Sequence, residues 1–336
     1  MTRRLTTVVI VALTMVLLVG ATPGDAQAAP TCNGRADLCD RSLGDVAFAT
    51  THNSMASSAD GFRPPNQRRT IAAQLAHGIR GFQIDAFFGT PRQGRVYTDL
   101  SGPLGQAAEL PAAAVAAATL IHRRLGAPPA GTPYDVYLCH VFCELGAVRM
   151  LDEMRTMREF LDAHPREVLV MVIEDYVPPD RLQAVMQDAG LAAMLLAVDP
   201  GVPLPTLGEM IASGQRVLVS LENGDGGPTM PTAFAALPFG HGAGLIEETP
   251  FTFRRPRSLE AASSCATNRG LPGSPIFQFN HWVTPAEPFT ARRVNSSMLR
   301  ERVARCTTER GRGPTLVAVD FAEQGALLRV VDRVNS

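Results

Sequence analysis

An α/β fold, and within that class a (β/α) barrel, is what this 336-residue sequence predicts. Three observations lead there. Short apolar runs of strand length alternate with helix-length stretches through much of the chain, the pattern of parallel strands joined by crossover helices. Several of those runs end in polar or charged residues at their carboxyl ends, the edge where parallel α/β folds carry their chemistry. The fingerprints of two competing folds are missing: no Gly-x-Gly-x-x-Gly follows the first strand, and no Gly-x-Ser-x-Gly occurs.

The first strand runs Val46 to Thr51 and carries His52, Asn53 and Ser54 at its end. Pro64-Pro65 break the chain, and Arg69 to Gly78 then reads as a helix. Ile71 and Leu75, like Ala72 and Ala76, lie four apart on one face, and Gly78 is a stop. The second strand, Ile79 to Phe87, follows directly and contains Gln83 and Asp85. Strand, helix and strand in this order make a βαβ unit with a right-handed crossover. Residues 88–133 exceed an ordinary connection and are expected to hold a hairpin at Gly94 to Thr98 and an Ala-rich helix from Leu110 to Leu125. A third strand, Tyr134 to His140, ends in a second imidazole. Gly146 to Ala163 reads as a helix with Val148, Leu151, Met154, Met157 and Leu161 in phase; its Met stripe is core rather than a binding surface.

A fourth strand, Glu167 to Glu174, ends in Glu174-Asp175. Helices at Pro179 to Gly190 and Leu207 to Ala212 precede a fifth strand, Arg216 to Leu221, which ends in Glu222-Asn223. Residues 224–275 are rich in Gly and Pro and read as irregular loops. A sixth strand, Pro275 to Phe279, leads to Asn280-His281-Trp282. A helix spans Asn295 to Cys306, a last strand runs Thr315 to Val319 and ends in Asp320, and Gly325 to Val334 closes the chain as a helix. Seven strands are expected, parallel by implication.

Gross composition narrows the function classes. At 46% hydrophobic the chain can bury a large core, and a net charge of -1 implies no bulk attraction to nucleic acid. Every basic residue is Arg, which reads as the coding bias of a GC-rich genome. Arg3-Arg4, the apolar run from Leu5 to about Ala21 and Ala26-Gln27-Ala28 make a secretory signal peptide cut after Ala28. The expected organisation is therefore residues 1–28 as leader and 29–336 as a single secreted barrel, monomeric and without a membrane span once cut. Six cysteines in an exported chain should mostly be paired. Neighbour pairing would join Cys32 to Cys39, Cys139 to Cys143 and Cys265 to Cys306, one of several connectivities. Cys139-His140-x-x-Cys143 also resembles a metal knuckle, but an oxidising compartment favours a disulfide that stiffens the His140 loop.

Two imidazoles on separate strand ends, His52 and His140, are an acid/base pair that titrates near working pH. Asn53, Asp85 and Glu174, with Gln83 as a fourth, are oxygen ligands suited to a hard cation, calcium first and magnesium second. A cation beside two imidazoles is equipment for cleaving a phosphodiester. Asp320 at the last strand end is placed to orient a histidine. His77, His122 and His164 fall on helices or their ends and read as structural, as does Arg80; His241 lies in the irregular loop. His281 and Trp282 are candidates for contact with a headgroup or membrane.

These residues carry a resemblance. Thr51-His52-Asn53-Ser54, then Gln74-Leu75 through Gly78-Ile79-Arg80-Gly81-Phe82-Gln83-Ile84-Asp85, then Leu138-Cys139-His140, then Phe160-Leu161 through Glu174-Asp175-Tyr176 resemble the X-domain of phosphatidylinositol-specific phospholipase C. The likeness is greatest to secreted bacterial and plant proteins that hold that domain alone. It runs from about Asp45 to Tyr176 and more weakly to Phe321. It implies a distorted TIM barrel and cleavage between phosphate and the diacylglycerol oxygen by the inositol 2-hydroxyl. His52 and His140 match the catalytic histidines, and Asn53, Asp85 and Glu174 match ligands of the calcium-dependent branch. Gln83 departs from that branch, which has Glu there. The metal-independent branch instead puts an Arg near the position of Asp85. Phosphatidylinositol, or a related phosphodiester lipid at a membrane surface, is the implied partner.

Two other readings are open. A glycerophosphodiester phosphodiesterase shares the barrel and the two-His logic, but typically shows His-Arg-Gly where this chain has His52-Asn53-Ser54. A secreted lipid-binding barrel without turnover is suggested by Gln83 and opposed by the intact histidine pair.

Overall fold

The computed structural model describes residues 30–99, 112–126, 132, 134–199, 201–234 and 244–336. The expected signal peptide, His241, and residues 110 and 111 of the expected Ala-rich helix lie outside them. Within the described chain the elements are, in order, β1 (Phe48–Thr51), α1 (Ile71–Ala76), β2 (Gly81–Arg92), β3 (Arg95–Thr98), α2 (Ala112–Leu125), β4 (Asp135–Leu138), β5 (Val148–Arg149) and α3 (Met150–Ala163). Then come β6 (Leu169–Asp175), α4 (Pro179–Asp188), α5 (Leu207–Ser213), β7 (Val217–Leu221), β8 (Ile246–Glu248), β9 (Ile276–His281), α6 (Pro288–Arg293), α7 (Leu299–Arg310), β10 (Leu316–Val319) and α8 (Leu327–Val334).

Seven strands run parallel in the spatial order β8-β9-β10-β1-β2-β6-β7. The ladder of strands stops at β7 and β8. Extended residues Pro231–Ala233 span that gap. Leu221 N–H donates to the Pro231 carbonyl at 3.0 Å and Ala233 N–H to the Leu221 carbonyl at 2.7 Å, while Leu245 and Ile246 N–H donate to the Thr232 and Ala233 carbonyls at 3.2 and 2.6 Å. The result is a distorted (β/α) barrel, as expected from sequence.

Alternation along each stave explains where the core and the site sit, because successive side chains point to opposite faces. On β6, Leu169, Met171 and Ile173 join the shell packed under the helices, with Phe82, Ile84, Val217, Val219, Phe277 and Phe279. Val168, Val170 and Val172 join Phe48, Leu218, Ile246, Ile276 and Leu316 in a second cluster. Continuing that second row by twos toward the carboxyl ends turns it polar: Val172 is followed by Glu174, Ser220 by Glu222, Gln278 by Asn280, Ala318 by Asp320. The lower barrel is thus plugged with apolar side chains, and its mouth is lined with groups that hydrogen-bond and titrate.

The elements form for local reasons. Thr70 caps α1, accepting from Ala73 N–H at 3.2 Å, and Gly78 leaves the helix at φ +102°, a conformation that favours glycine. Thr206 and Glu209 form a capping box on α5. Gly81 is required where β1 and β2 meet, since a Cβ there would lie 2.1 Å from Thr50 Oγ1. All three neighbour disulfides are present, Cys32–Cys39, Cys139–Cys143 and Cys265–Cys306.

Three expectations are corrected. The strand before His140 is not a barrel stave: β4 runs antiparallel to an overlong β2, paired Ala86 with Leu138 through Gly89 with Asp135. The helix expected from Gly146 starts at Met150, because Val148–Arg149 pair with Leu138 and Tyr137 as β5. Residues 224–275 contain a stave, β8, too short to show a period.

Candidate active site

One cavity of about 420 Å³ at the carboxyl ends of the staves is lined by all seven residues singled out from sequence: His52, Asn53, Gln83, Asp85, His140, Glu174 and Asp320. His52 leaves β1 and Asp320 leaves β10, neighbours in the ladder with Thr51 paired to Val319. His52 Nδ1 lies 2.8 Å from Asp320 Oδ1. The same oxygen accepts from Asn66 Nδ2 at 3.0 Å, and Gln67 Nε2 donates to the backbone carbonyls of His52 and Val319. Asn53 takes φ +45°, the left-handed turn that Asn tolerates better than most residues.

His140 reaches the cavity by a different route. β2 overshoots the barrel, β4 folds back along it, and the Cys139–Cys143 loop carries His140 over Asp85. Its Nδ1 lies 2.9 Å from Asp85 Oδ2, with the imidazole half-exposed. Desolvation works against the charged ring, but the Asp85 hydrogen bond and the charges of Asp85, Glu174 and Asp320 outweigh it and raise the His140 pKa. Asp85, expected as a metal ligand alone, is therefore also the carboxylate that holds a histidine.

Register gathers the acids. Asp85 and Glu174 are paired positions on parallel β2 and β6, so their side chains stand side by side. Burial, then the Asp85 and Glu222 charges, push the Glu174 carboxyl up to about 8, although the Tyr176 hydroxyl donates to it. Glu222 is likewise raised by burial. Arg269 stands among these acids, donating to Glu222 Oε2 at 2.7 Å and paired with Glu248, with its guanidinium 4.0 Å from the Phe234 ring centroid. Glu248 also accepts from Gln278 and Asn280 at 3.0 and 2.8 Å. Sequence reading passed over Glu248 and Arg269 because their stretch shows no period. Glu222, a strand-end carboxylate like Glu174, carried the signal that would have found it.

Of the two residues expected to contact a headgroup, Trp282 lines the cavity and His281 does not. His281 is fully buried; burial and then the Arg302 charge push its pKa down to about 3, and its Nε2 lies 3.0 Å from the Val294 carbonyl. Trp282 is 5% exposed and stacks on His52, with ring centroids 3.7 Å apart and planes 6° from parallel. Behind them Arg302, 1% exposed, donates to the Asn280 carbonyl and lies between the Phe253 and Phe279 rings. His122, taken as structural, bonds the buried Glu144, which also accepts from the backbone N–H and hydroxyl of Thr98.

The donor set around Asp85 and Glu174 mixes carboxylates with side-chain amides. Among the described residues no three His, Cys, Asp or Glu side chains cluster as a metal site by themselves, so a site here needs the amides. Gln83 Oε1 and the Asn53 side-chain nitrogen are buried without a hydrogen-bond partner beside Asp85 and Glu174. Amide oxygen and nitrogen are interchangeable by a flip. Two orphaned amides next to two carboxylates, one of them pushed toward its neutral form by burial, fit a hard divalent cation.

Comparisons with known proteins agree with this architecture. Residues 125–232 match the family described as PI-PLC X 1. That stretch holds His140 and Glu174; the other five site residues lie outside it. A PI-PLC X domain-containing protein 1 of Arthroderma benhamiae is 22% identical over 90% of this chain and 89% of its own length. A PI-PLC X domain-containing protein of Arabidopsis thaliana is 21% identical over 95% of this chain and 70% of its own length. An uncharacterized secreted protein of Arthroderma benhamiae is 25% identical over 57% of this chain and 35% of its own length. A solved structure of the phosphatidylinositol-specific phospholipase C of Staphylococcus aureus superposes with a TM-score of 0.51 at 11% identity, covering 88% of this chain and 94% of that one. The X-domain match over residues 125–232, the relatives aligned along the chain and the distorted barrel lead to one conclusion: this chain is similar to PI-PLC X-domain proteins in sequence and in fold.

Proposed function

We propose that the chain is an exported phosphodiesterase that cleaves phosphatidylinositol or a closely related polyol phosphodiester to diacylglycerol and a cyclic phosphate. The observation that carries this reading is the pair of His–carboxylate dyads, His52–Asp320 and His140–Asp85, on one cavity. In each dyad the carboxylate on Nδ1 fixes the tautomer and leaves Nε2 as the reacting nitrogen. One imidazole takes the proton of the inositol 2-hydroxyl as its oxygen bonds to phosphorus. The other gives a proton to the glycerol oxygen as the second P–O bond breaks. Asn66, by donating to Asp320, fixes the carboxylate that holds His52, and Trp282 stacks on the ring itself.

Charge supports a headgroup without further phosphates. The mouth carries Asp85, Glu174, Glu222 and Glu248 and two arginines, Arg269, already paired with two of these acids, and the exposed Arg254. A neutral polyol can hydrogen-bond there, and among the described residues Arg254 is the one arginine of the lining without an ion pair to offer a further phosphate. Calcium, with magnesium second, would be held by Asn53, Gln83, Asp85 and Glu174, supplying positive charge for the phosphoryl oxygens and acidity for the attacking hydroxyl. Three disulfides and the secreted relative support export.

The test is release of water-soluble inositol phosphate from phosphatidylinositol vesicles, with calcium and with excess chelator. Cleavage only with calcium supports the whole reading. Cleavage under both conditions removes the cation and leaves the dyads. No cleavage under either refutes the substrate, and retained phosphatidylinositol binding would then identify a lipid-binding barrel.

A further inference from the structure

Four arginines converge on a groove of about 520 Å³ on the barrel's outer wall: Arg292 of α6, Arg300 of α7, and Arg329 and Arg333 of α8. The whole chain has a net charge of -1, so this is a local concentration of one sign. Some arginines elsewhere pair with carboxylates, as Arg80 does with Glu167 at 2.7 Å and Arg158 with Asp162 at 2.8 Å, and others, such as Arg216, bond carbonyls. Of these four, Arg300 lies 3.9 Å from Glu301 with both exposed, and Arg329 bonds only the Gly325 carbonyl at 3.4 Å. Arg292 and Arg333 make no ion pair among the described residues. The groove's single carboxylate, Glu323, is turned to Arg68 at 3.6 Å. Arg329 and Arg333 also sit four apart on one helix face, where like charges oppose the helix. Gathering unpaired cations in this way is unfavourable unless an anion joins them.

The backbone is irregular at the same place. A kink separates α6 from α7, with Ser296 at the non-helical φ -95°, ψ -118°. Ser296 and Ser297 line the groove. Their neighbour Asn295 donates from Nδ2 to the Asp320 carbonyl at 2.8 Å and accepts from Ala326 N–H at 2.7 Å. The groove therefore adjoins the end of the barrel where His52 and Asp320 sit.

We propose that this groove binds phosphate-type oxyanions, and that on a bilayer its occupant is the headgroup phosphate of an anionic phospholipid held beside the active-site mouth. Guanidinium forks match phosphate oxygens two at a time. The inference does not rest on the phosphodiesterase reading, because binding is measured without turnover.

The experiment is sedimentation with vesicles of phosphatidylcholine alone or mixed with phosphatidylglycerol, at low and high salt, with inorganic phosphate as competitor. Wild type should bind the mixed vesicles at low salt and lose them at high salt. In Arg329→Gln/Arg333→Gln, binding should fall about fivefold for each arginine removed. Arg329→Lys/Arg333→Lys should keep only part of it, since lysine retains the charge and loses the fork. Both double variants should melt as wild type does. Equal binding of wild type to both vesicle types, or wild-type binding by the Gln variant, overturns the proposal. Arginine-dependent calorimetric binding of inorganic phosphate without vesicle binding would make the occupant a free anion and overturn the lipid.

Discussion

Replacing Asp320 with Asn tests the dyad and the role of Asn66 together. In many His–Asp pairs the Asn amide turns its NH2 toward the imidazole, inverts the tautomer, and costs about ten-thousand-fold in turnover. Here the geometry opposes that flip. Oδ1 of Asp320 accepts from His52 Nδ1 at 2.8 Å and from Asn66 Nδ2 at 3.0 Å. Two donors aimed at one position keep an amide oxygen there, so the tautomer survives and only the charge is lost. A hydrogen bond to a charged group contributes about 1.5–3 kcal/mol. If it acts mainly in the transition state, its loss lowers kcat by roughly 10- to 150-fold. The assay is the initial rate of inositol phosphate release from vesicles by Asp320→Asn, Asn66→Leu and the double variant. Asn66→Leu frees the amide, so the double variant should fall well below the product of the single effects. A ten-thousand-fold loss in Asp320→Asn alone would refute the two-donor argument. An unchanged rate would refute the dyad.

Three further outcomes are expected. Trp282→Leu removes a stack worth about 0.5–1.5 kcal/mol, so kcat should fall roughly 2- to 12-fold with KM unchanged, while Trp282→Phe should retain most activity; a change in KM alone would point to a substrate contact instead. Gln83→Glu adds a carboxylate beside Asp85 and Glu174 and should lower the melting temperature in chelator by more than in calcium; equal shifts would count against a cation at this position. Glu153 on α3 is pushed up to about 7 by burial and then by Asp60 and Asp152. A carboxyl raised in the folded state favours folding at low pH, and that contribution is lost as pH climbs from about 4.5 through about 7. Glu153→Gln should flatten this decline and gain about 1–2 kcal/mol above pH 7 after discounting for solvent screening, read by denaturant melts across the window. A decline as steep as in wild type would show that Glu153 is not its source.

Local pattern made much of this fold legible. The helices at Ile71–Ala76, Pro179–Asp188 and Leu207–Ser213 lie where apolar spacing and Gly stops put them. So do the staves that bear His52, Asp85, Glu174 and Asp320, because a strand buried on both faces leaves an apolar run that ends abruptly in polar residues. The cysteine neighbours also paired as spacing suggested.

What the sequence by itself determined, then, was the set of elements and the kinds of group at their ends. Which groups meet was decided by the tertiary structure. The direction of β4 could not be read, since a short run has the same period whether its partner is parallel or antiparallel. That direction is what brings His140 back over Asp85, 55 residues away. The Asp85–Glu174 register, which drives one carboxyl up to about 8, depends on how two strands slide past each other. The stack of Trp282 on His52 and the seat of Arg269 among Glu222 and Glu248 join segments with no shared local pattern. Such contacts form because closing the barrel forces the inward rows of every stave onto one axis, and no window of sequence contains that closure.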